Sequence, residues 1–307
     1  MKFVALGGGH GLAATLRALK SITPEITAVV GVSDNGGSSG RLREEFSILP
    51  PGDLRMALTA LCDDNETEWA DLLQFRFSGD GPLAGHAVGN LLISALWQSR
   101  SDVVAGLDAV CKLLNAHGRV LPLVLTPMDL VAEVVSGTGE LLEIEGQVAI
   151  ATTEHRVNRI KFDYSTVQLC PETLAAISEA DVLIMGPGSW FTSVLTHLAV
   201  PAVAHAFKSS NATKILILNL VSQSGETEGF SPVQHLEALV QTNPDIEFDF
   251  IIAEAALVSN ELIRAVADLG AELISETLTD TENVSKHNPA ALASAISKSI
   301  ATIGRKN

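Results

Sequence analysis

The chain has 307 residues, 47% of them apolar, and a formal net charge of -16. That length and apolar content support a sizeable core in one large domain or two and argue against disorder. The net charge disfavours non-specific binding to nucleic acid and to anionic membranes, so an anionic ligand has to be held by a local arrangement of donors.

Phe3 to Leu6 is a short apolar run that leads into Gly7, Gly8, Gly9 and Gly11. Leu12, Leu16 and Leu19 follow at helical spacing, which predicts strand, loop and helix. Ile26 to Val32, rich in β-branched residues, predicts a second strand and hence a βαβ start. From Asp53 to about Ala116 the apolar spacing is helical, through Leu54, Leu58 and Leu61, then Leu91, Leu92, Ala95 and Leu96, then Val103, Leu107, Val110 and Leu114. Between Arg119 and Tyr164 short apolar runs alternate with Pro122, Pro127, Gly137, Gly139 and Gly146, which predicts small strands. The α/β rhythm resumes at Val182–Met185, Ile215–Leu218 and Phe248–Ile252. The expectation is a single α/β domain over residues 1–307 with a doubly wound, mainly parallel sheet. Residues 53–164 interrupt it, helical over 53–117 and in small strands over 119–164.

Four polar segments follow predicted strands: Gly7–Gly11, Ser33–Arg41, Gly186–Ser193 and Asn219–Ser231. In a parallel sheet every such exit lies at the carboxyl edge, where open α/β sheets bind ligands, so the four converge. The second segment is opened by Asp34, closed by Arg41, and built of Asn35, Gly36, Gly37, Ser38, Ser39 and Gly40. It offers backbone N–H groups, hydroxyls and a positive charge to one anion. Gly8, Gly9 and Gly11 offer the same from the first loop. Glycine turns and helix caps explain each loop singly, and the convergence is what favours a ligand.

Four of the eleven arginines, Arg41, Arg43, Arg55 and Arg76, fall in one stretch without lysine. Arg41 and Arg55 are candidate phosphate ligands, and Arg43 and Arg76 read equally as partners of Glu44, Glu45, Glu66 and Glu68. Asp34 and Asp53 are candidate Mg²⁺ ligands acting through a phosphate, although Asp53 also suits the N-cap of the helix at Leu54. His86 and Asn90, four apart at a helix start, are expected on one face, and His10 lies in the first loop. Gly186, Pro187, Gly188, Ser189, Thr192 and Ser193, with Asn219, Gln223, Gly225, Glu226 and Thr227, are expected to shape the rest of the pocket. Ser189 and Thr192 serve equally as helix caps. No nucleophile, base and orienter can be assembled from the sequence.

Gly9-x-Gly11-x-x-Ala14, with Asp34 about 20 residues beyond, also fits a dinucleotide fingerprint. In that reading Asp34 faces a ribose, and the adjoining glycine-serine loop has no task. Cys62, Cys111 and Cys170 show neither metal-ligand nor redox spacing and are expected in apolar packing. No segment has the length of a signal core or a membrane span, so a cytoplasmic protein without membrane insertion is expected.

Taken together, these blocks resemble the gluconeogenesis factor family, the bacterial branch of the 2-phospho-L-lactate transferase superfamily. The resemblance is carried by Gly7–Leu12, Asp34–Arg43, Pro51-Gly52-Asp53-Leu54-Arg55, Gly85–Leu91, Gly186–Ser189 with Thr192-Ser193, and Gln223–Thr227. It implies a Rossmann-like fold, cytoplasmic location and a role in cell shape and growth on gluconeogenic carbon. It further implies a nucleotide sugar of the UDP-N-acetylglucosamine type as ligand; with the Mg²⁺ that Asp34 and Asp53 suggest as the candidate cofactor, no permanently bound organic cofactor is expected. Homo-oligomers and a regulatory protein partner stay open. The transferase branch carries an Asp-Asp pair where this chain has Asp34-Asn35, which turns the expectation away from transfer. A 2-phospho-L-lactate transferase-like enzyme using a nucleotide-activated donor is the alternative, and an NAD(P)-binding oxidoreductase the second. At the C-terminal end the chain has His287-Asn288-Pro289 where family members carry His-Asp-Pro.

Overall fold

Apolar runs that are short, β-branched and without alternation suit strands buried on both faces. The computed structural model, which describes residues 1–100 and 102–303, places them so. Strands β1 (Phe3–Gly7) and β2 (Ile26–Val30) flank helix α1 (Gly9–Lys20), and all five residues of β1 are buried. After β2 come α2 (Gly37–Phe46), α3 (Pro51–Leu61), α4 (Thr67–Gln74), α5 (Val88–Ser99) and α6 (Val103–Leu113). The chain then re-enters the sheet as β3 (Arg119–Pro122), parallel to β2.

This corrects the expected insertion. Parallel neighbours need a crossover connection, and the helical stretch is that crossover, with α3 packed on both β2 and β3. Arg119–Pro122 therefore belongs to the main sheet. The excursion proper comprises β4 (Val131–Val135), β5 (Leu141–Glu145), α7 (Gln147–Ala151) and β6 (Arg156–Lys161). Its three strands form a separate antiparallel sheet in the order β5-β4-β6. Ala132, Val134, Ile150, Val157 and Ile160 nonetheless join the same buried apolar cluster as the main sheet.

The second half adds α8 (Pro171–Ser178), β7 (Val182–Met185), a π-helical turn at Trp190–Leu195, α9 (Thr196–Ala199), α10 (Pro201–Ser209) and β8 (Thr213–Ile217). It ends with α11 (Pro232–Thr242), β9 (Phe250–Glu254), α12 (Asn260–Asp268), β10 (Glu272–Glu276) and α13 (Pro289–Ile303). The seven parallel strands run β3-β2-β1-β7-β8-β9-β10. The order reverses between β1 and β7, which face each other as Ala5 opposite Ile184, and that reversal is where such sheets open a ligand crevice. Helices α1, α3 and α13 pack together on one side, and α8, the π turn, α10, α11 and α12 lie on the other. The half-exposed edge strand β10 has no counterpart in the sequence reading, because Glu272-Leu273-Ile274-Ser275-Glu276 holds only two apolar residues. Among the described residues no single helix is long and apolar enough to cross a membrane.

Candidate functional site

The four strand-exit loops meet at the carboxyl edge. The Gly31 N–H donates to the Gly7 carbonyl at 3.0 Å, tying the first exit to the second. Asn219 accepts from the Gly188 N–H at 3.0 Å and donates to its carbonyl at 2.9 Å, tying the third to the fourth. Two glycines allow the closest approaches. A Cβ on Gly11 would run into the Pro187 carbonyl, and one on Gly8 would stand 2.6 Å from Asp53 Oδ2. The Gly186-Pro187 bond is cis. Helices α1, α2 and α3 all begin at this edge and turn their unpaired N–H groups toward it.

At their junction lie Asp34, Asp53 and Arg55. Asp34 accepts the Gly36 N–H at 2.9 Å and stands 3.3 Å from where a Cβ on Gly52 would be. Asp53 sits in the first turn of α3 rather than capping it. Burial, and then the charge of Asp34, push its carboxyl up to about 7, against the Gly9 N–H and Arg55, which favour the anion. Arg55 is 4% exposed, with its stem 2.8 Å from where a Cβ on Gly89 would be. Burial and the neighbouring Arg76 lower it to about 10, against the pull of Asp53 and Asp34. It is therefore charged at neutral pH, yet its Nε and Nη1 have no hydrogen-bond partner. A buried cation left this way is costly unless an anion completes it.

Beside it, the Asn90 amide donates to Ser38 Oγ at 3.0 Å, and Ser38 lies 3.0 Å from His86 Nδ1. The Ser38 hydroxyl thus accepts from Asn90 and shares a second hydrogen bond with the His86 ring. Desolvation, then Arg41 and Arg76, lower the His86 pKa, against Glu45. His86 precedes α5 rather than riding on it, so the expected shared helix face with Asn90 is replaced by a shared bond to Ser38. All three side chains are buried, and they pin the start of α2 to the start of α5. Ser38 stands at the start of α2, where its backbone N–H lacks an intrahelical partner. Ser39 is buried against Gly52. Gly37 takes φ +49 at the first position of α2, and Gly40 leaves room only for the Asn35 carbonyl.

Of the clustered arginines, Arg41 donates to the Ala84 carbonyl at 2.7 Å and Arg76 to that of Gly85 at 2.8 Å, both at the exposed rim. Arg43 pairs instead with Asp129, away from the crevice. Asn35 turns outward and accepts the Val148 N–H of α7 at 3.0 Å.

On the other side most of the predicted residues hold the loops. Gln223 donates from its side chain to Ser189 at 3.2 Å and from its backbone to Thr227 at 3.0 Å. Glu226 is 2% exposed and faces Thr192 and the first amides of the π turn. Burial raises it to about 7, while the Thr192 hydroxyl and the amides of Thr192, Phe191 and Trp190 favour its charged form. Ser33 donates to the Thr192 carbonyl at 3.4 Å, and Ser193 lies against Gly8. Gly225 abuts the Ala151 carbonyl of α7.

A cavity of about 290 Å³ opens next to this wall, lined by His10, Arg17, Pro187, Asn219, Gln223, Lys286 and His287. Desolvation, then Lys286, Arg17 and Arg55, lower the His10 pKa. His287 is buried, pushed down to about 4 by desolvation, and its Nε2 is unpartnered. The strap that carries Lys286 and His287 is held by Glu254, which accepts from the Leu278 N–H at 2.8 Å and the Thr279 hydroxyl at 2.8 Å. Sequence reasoning missed Arg17 and Lys286. Arg17 was findable, since His10, Ala14 and Arg17 fall at i, i+4 and i+7 on one face of α1. Lys286 was not, because only the fold brings its strap there. A larger cavity, about 640 Å³, lies away from these loops between β6, α10 and α11. All three cysteines are free and buried, as expected.

A parallel sheet with glycine-rich strand exits gathered at its switch point defines an open α/β protein with a ligand crevice at its carboxyl edge. Residues 3–296 match the family described as 2-phospho-L-lactate transferase CofD. The chain belongs to that family, among its gluconeogenesis factor members. It is 35% identical over 312 residues to the gluconeogenesis factor of Halalkalibacterium halodurans, covering 95% of this chain and 94% of that one. To the gluconeogenesis factor of Listeria monocytogenes it is 33% identical over 294 residues, 92% and 90% of the two chains. A crystal structure of a Bacillus halodurans protein superposes with a TM-score of 0.87 at 34% identity, over 96% of this chain and 98% of that one.

Proposed function

We propose that the protein binds a nucleotide sugar of the UDP-N-acetylglucosamine type, together with Mg²⁺, and acts as a cytoplasmic regulator of growth on gluconeogenic carbon and of cell shape. The observation that carries the binding is Arg55, a buried guanidinium with two unpaired donors beside Asp34 and Asp53. A diphosphate supplies the missing anion. Backbone N–H groups at Gly8, Gly37 and Ser38 and the rim charge of Arg41 add donors around it. Asp34 and Asp53 would hold Mg²⁺. Among the described residues no group of three or more His, Cys, Asp or Glu side chains is placed to hold a metal alone. That suits a cation completed by phosphate oxygens and water. The cation would offset the repulsion between the two carboxylates and neutralise phosphate charge.

The cavity lined by His10 and by the cations Arg17 and Lys286 is the adjoining space for the remainder of the ligand. A dinucleotide is supported less well, because Asp34 is committed to Gly36 and to the Asp53 side rather than turned to a ribose. Calorimetric titration with UDP-N-acetylglucosamine, UDP and GDP tests the reading, and binding by none of them at millimolar concentration overturns it.

The family match and the Asp34–Asp53 pair favour a second reading, transfer of a phosphorylated acid from a nucleotide-activated donor, with Arg55 and the helix N-termini stabilising phosphate charge. Release of GMP from an activated phospholactate in the presence of an acceptor supports it. Unchanged release in Asp34→Ala removes that residue from the mechanism.

A further inference from the structure

Helix α7 belongs to the three-stranded sheet, yet it touches two strand-exit loops that the main sheet holds apart. Its first turn meets the exit of β2: Asn35 Oδ1 accepts the Val148 N–H at 3.0 Å, and a Cβ on Gly36 would stand 2.7 Å from Val148 Cγ2. At Gly146, where φ is +91, a Cβ would stand 2.5 Å from the Asn35 amide nitrogen. Its last residue meets the exit of β8, where a Cβ on Gly225 would run into the Ala151 carbonyl. The helix also packs on the π turn that follows β7. Strands β2 and β8 are separated by β1 and β7, so α7 bridges exits on both sides of the switch point, where the crevice lies. Three of these approaches leave no space for a side chain, which makes the bridge a close fit.

We infer that Asn35 is a positioning residue that seats α7 against the anion loop and couples occupation of the crevice to the β4–β6 sheet. The inference rests on the binding function proposed above. Asn35 is one residue from Asp34 and its carbonyl abuts Gly40, so its backbone belongs to the anion loop while its side chain belongs to α7. A ligand that orders the loop thereby orders the cap on α7, and loss of the cap loosens the loop. A hydrogen bond of this kind contributes about 1 kcal/mol, which corresponds to roughly a fivefold effect on affinity if it is coupled to binding.

Hydrogen exchange and calorimetry on the full chain, wild type and Asn35→Ala, provide the test. Without ligand, the Val148 amide is expected to exchange several-fold faster in Asn35→Ala, and Asn35→Asp, which keeps an acceptor oxygen, is expected to restore its protection. With UDP-N-acetylglucosamine and Mg²⁺, the wild type is expected to gain protection in residues 146–151 and 131–161. Asn35→Ala is expected to bind about fivefold more weakly and to lose that gain. Val148→Ala, which acts from the α7 side, is expected to weaken binding in the same direction. Equal Val148 exchange in wild type and Asn35→Ala overturns the positioning role whatever binds. Equal affinity in the two, or no ligand-dependent protection in the small sheet, overturns the coupling. Failure of the wild type to bind any nucleotide overturns the functional reading and the coupling with it, while the ligand-free exchange still decides the cap.

Discussion

Burial shifts Arg55 and Asp53 in opposite senses, the guanidinium down to about 10 and the carboxyl up to about 7. With no anion, Arg55 buries a charge whose Nε and Nη1 are unpaired. Arg55→Met is therefore expected to lower nucleotide affinity by about 100-fold, as loss of a buried charge-assisted contact does. It should leave the ligand-free protein as stable as the wild type or more so by on the order of 1 kcal/mol, because an apolar side chain replaces an unpaired ion. Calorimetry and urea unfolding measure the two effects. The folded-state pKa of Asp53, about 7, lies above its ordinary 3.8, so the native state keeps a proton that the unfolded chain releases between those values. Its contribution to stability accordingly falls as pH rises from about 4 to 7. In EDTA, Asp53→Asn is expected to melt several degrees above the wild type at pH 8, with the difference closing near pH 4. A constant difference across that range contradicts the account. The sequence offered both residues as candidates, Arg55 for phosphate and Asp53 for Mg²⁺ or a helix cap. It did not reveal that the Ser38 hydroxyl joins His86 and Asn90, because those bonds link residues 48 and 52 positions apart.

At the scale of elements, the site depends on glycines that let loops from opposite sides of the switch point touch. Gly11→Ala places a methyl group against the Pro187 carbonyl, where no flexible side chain can give way. The expected cost is about 1–3 kcal/mol in urea unfolding, together with loss of binding, because α1 and the 186–188 loop must separate. Gly137→Ala, with open space around it, is the control and is expected to change neither. The buried strands were legible as uninterrupted apolar runs. Strand β3 was misplaced because Arg119–Pro122 reads the same in an excursion as in a sheet, and only its pairing with β2 decides. Strand β10 escaped because an edge strand needs little apolar content. The loops were legible as a group for a topological reason: a parallel sheet sends every strand exit to one edge.

At the scale of the whole molecule, a chain of net charge -16 gathers Arg17, Arg41, Arg55, Arg76 and Lys286 about one edge of its sheet, at the reversal of strand order between β1 and β7. The general field repels an anion, and the local donors at three helix N-termini attract it. Under the proposed function, this arrangement lets an acidic protein take a phosphorylated ligand through groups that are buried or at the rim rather than spread over a surface. The most direct measurement is a calorimetric titration of the full chain with UDP-N-acetylglucosamine, in Mg²⁺ and in EDTA, for the wild type and Arg55→Met. Saturable binding in Mg²⁺, weaker by about tenfold in EDTA and lost in Arg55→Met, is the predicted result. Binding that is indifferent to Arg55, or no binding of UDP-N-acetylglucosamine, UDP or GDP at millimolar concentration, contradicts it.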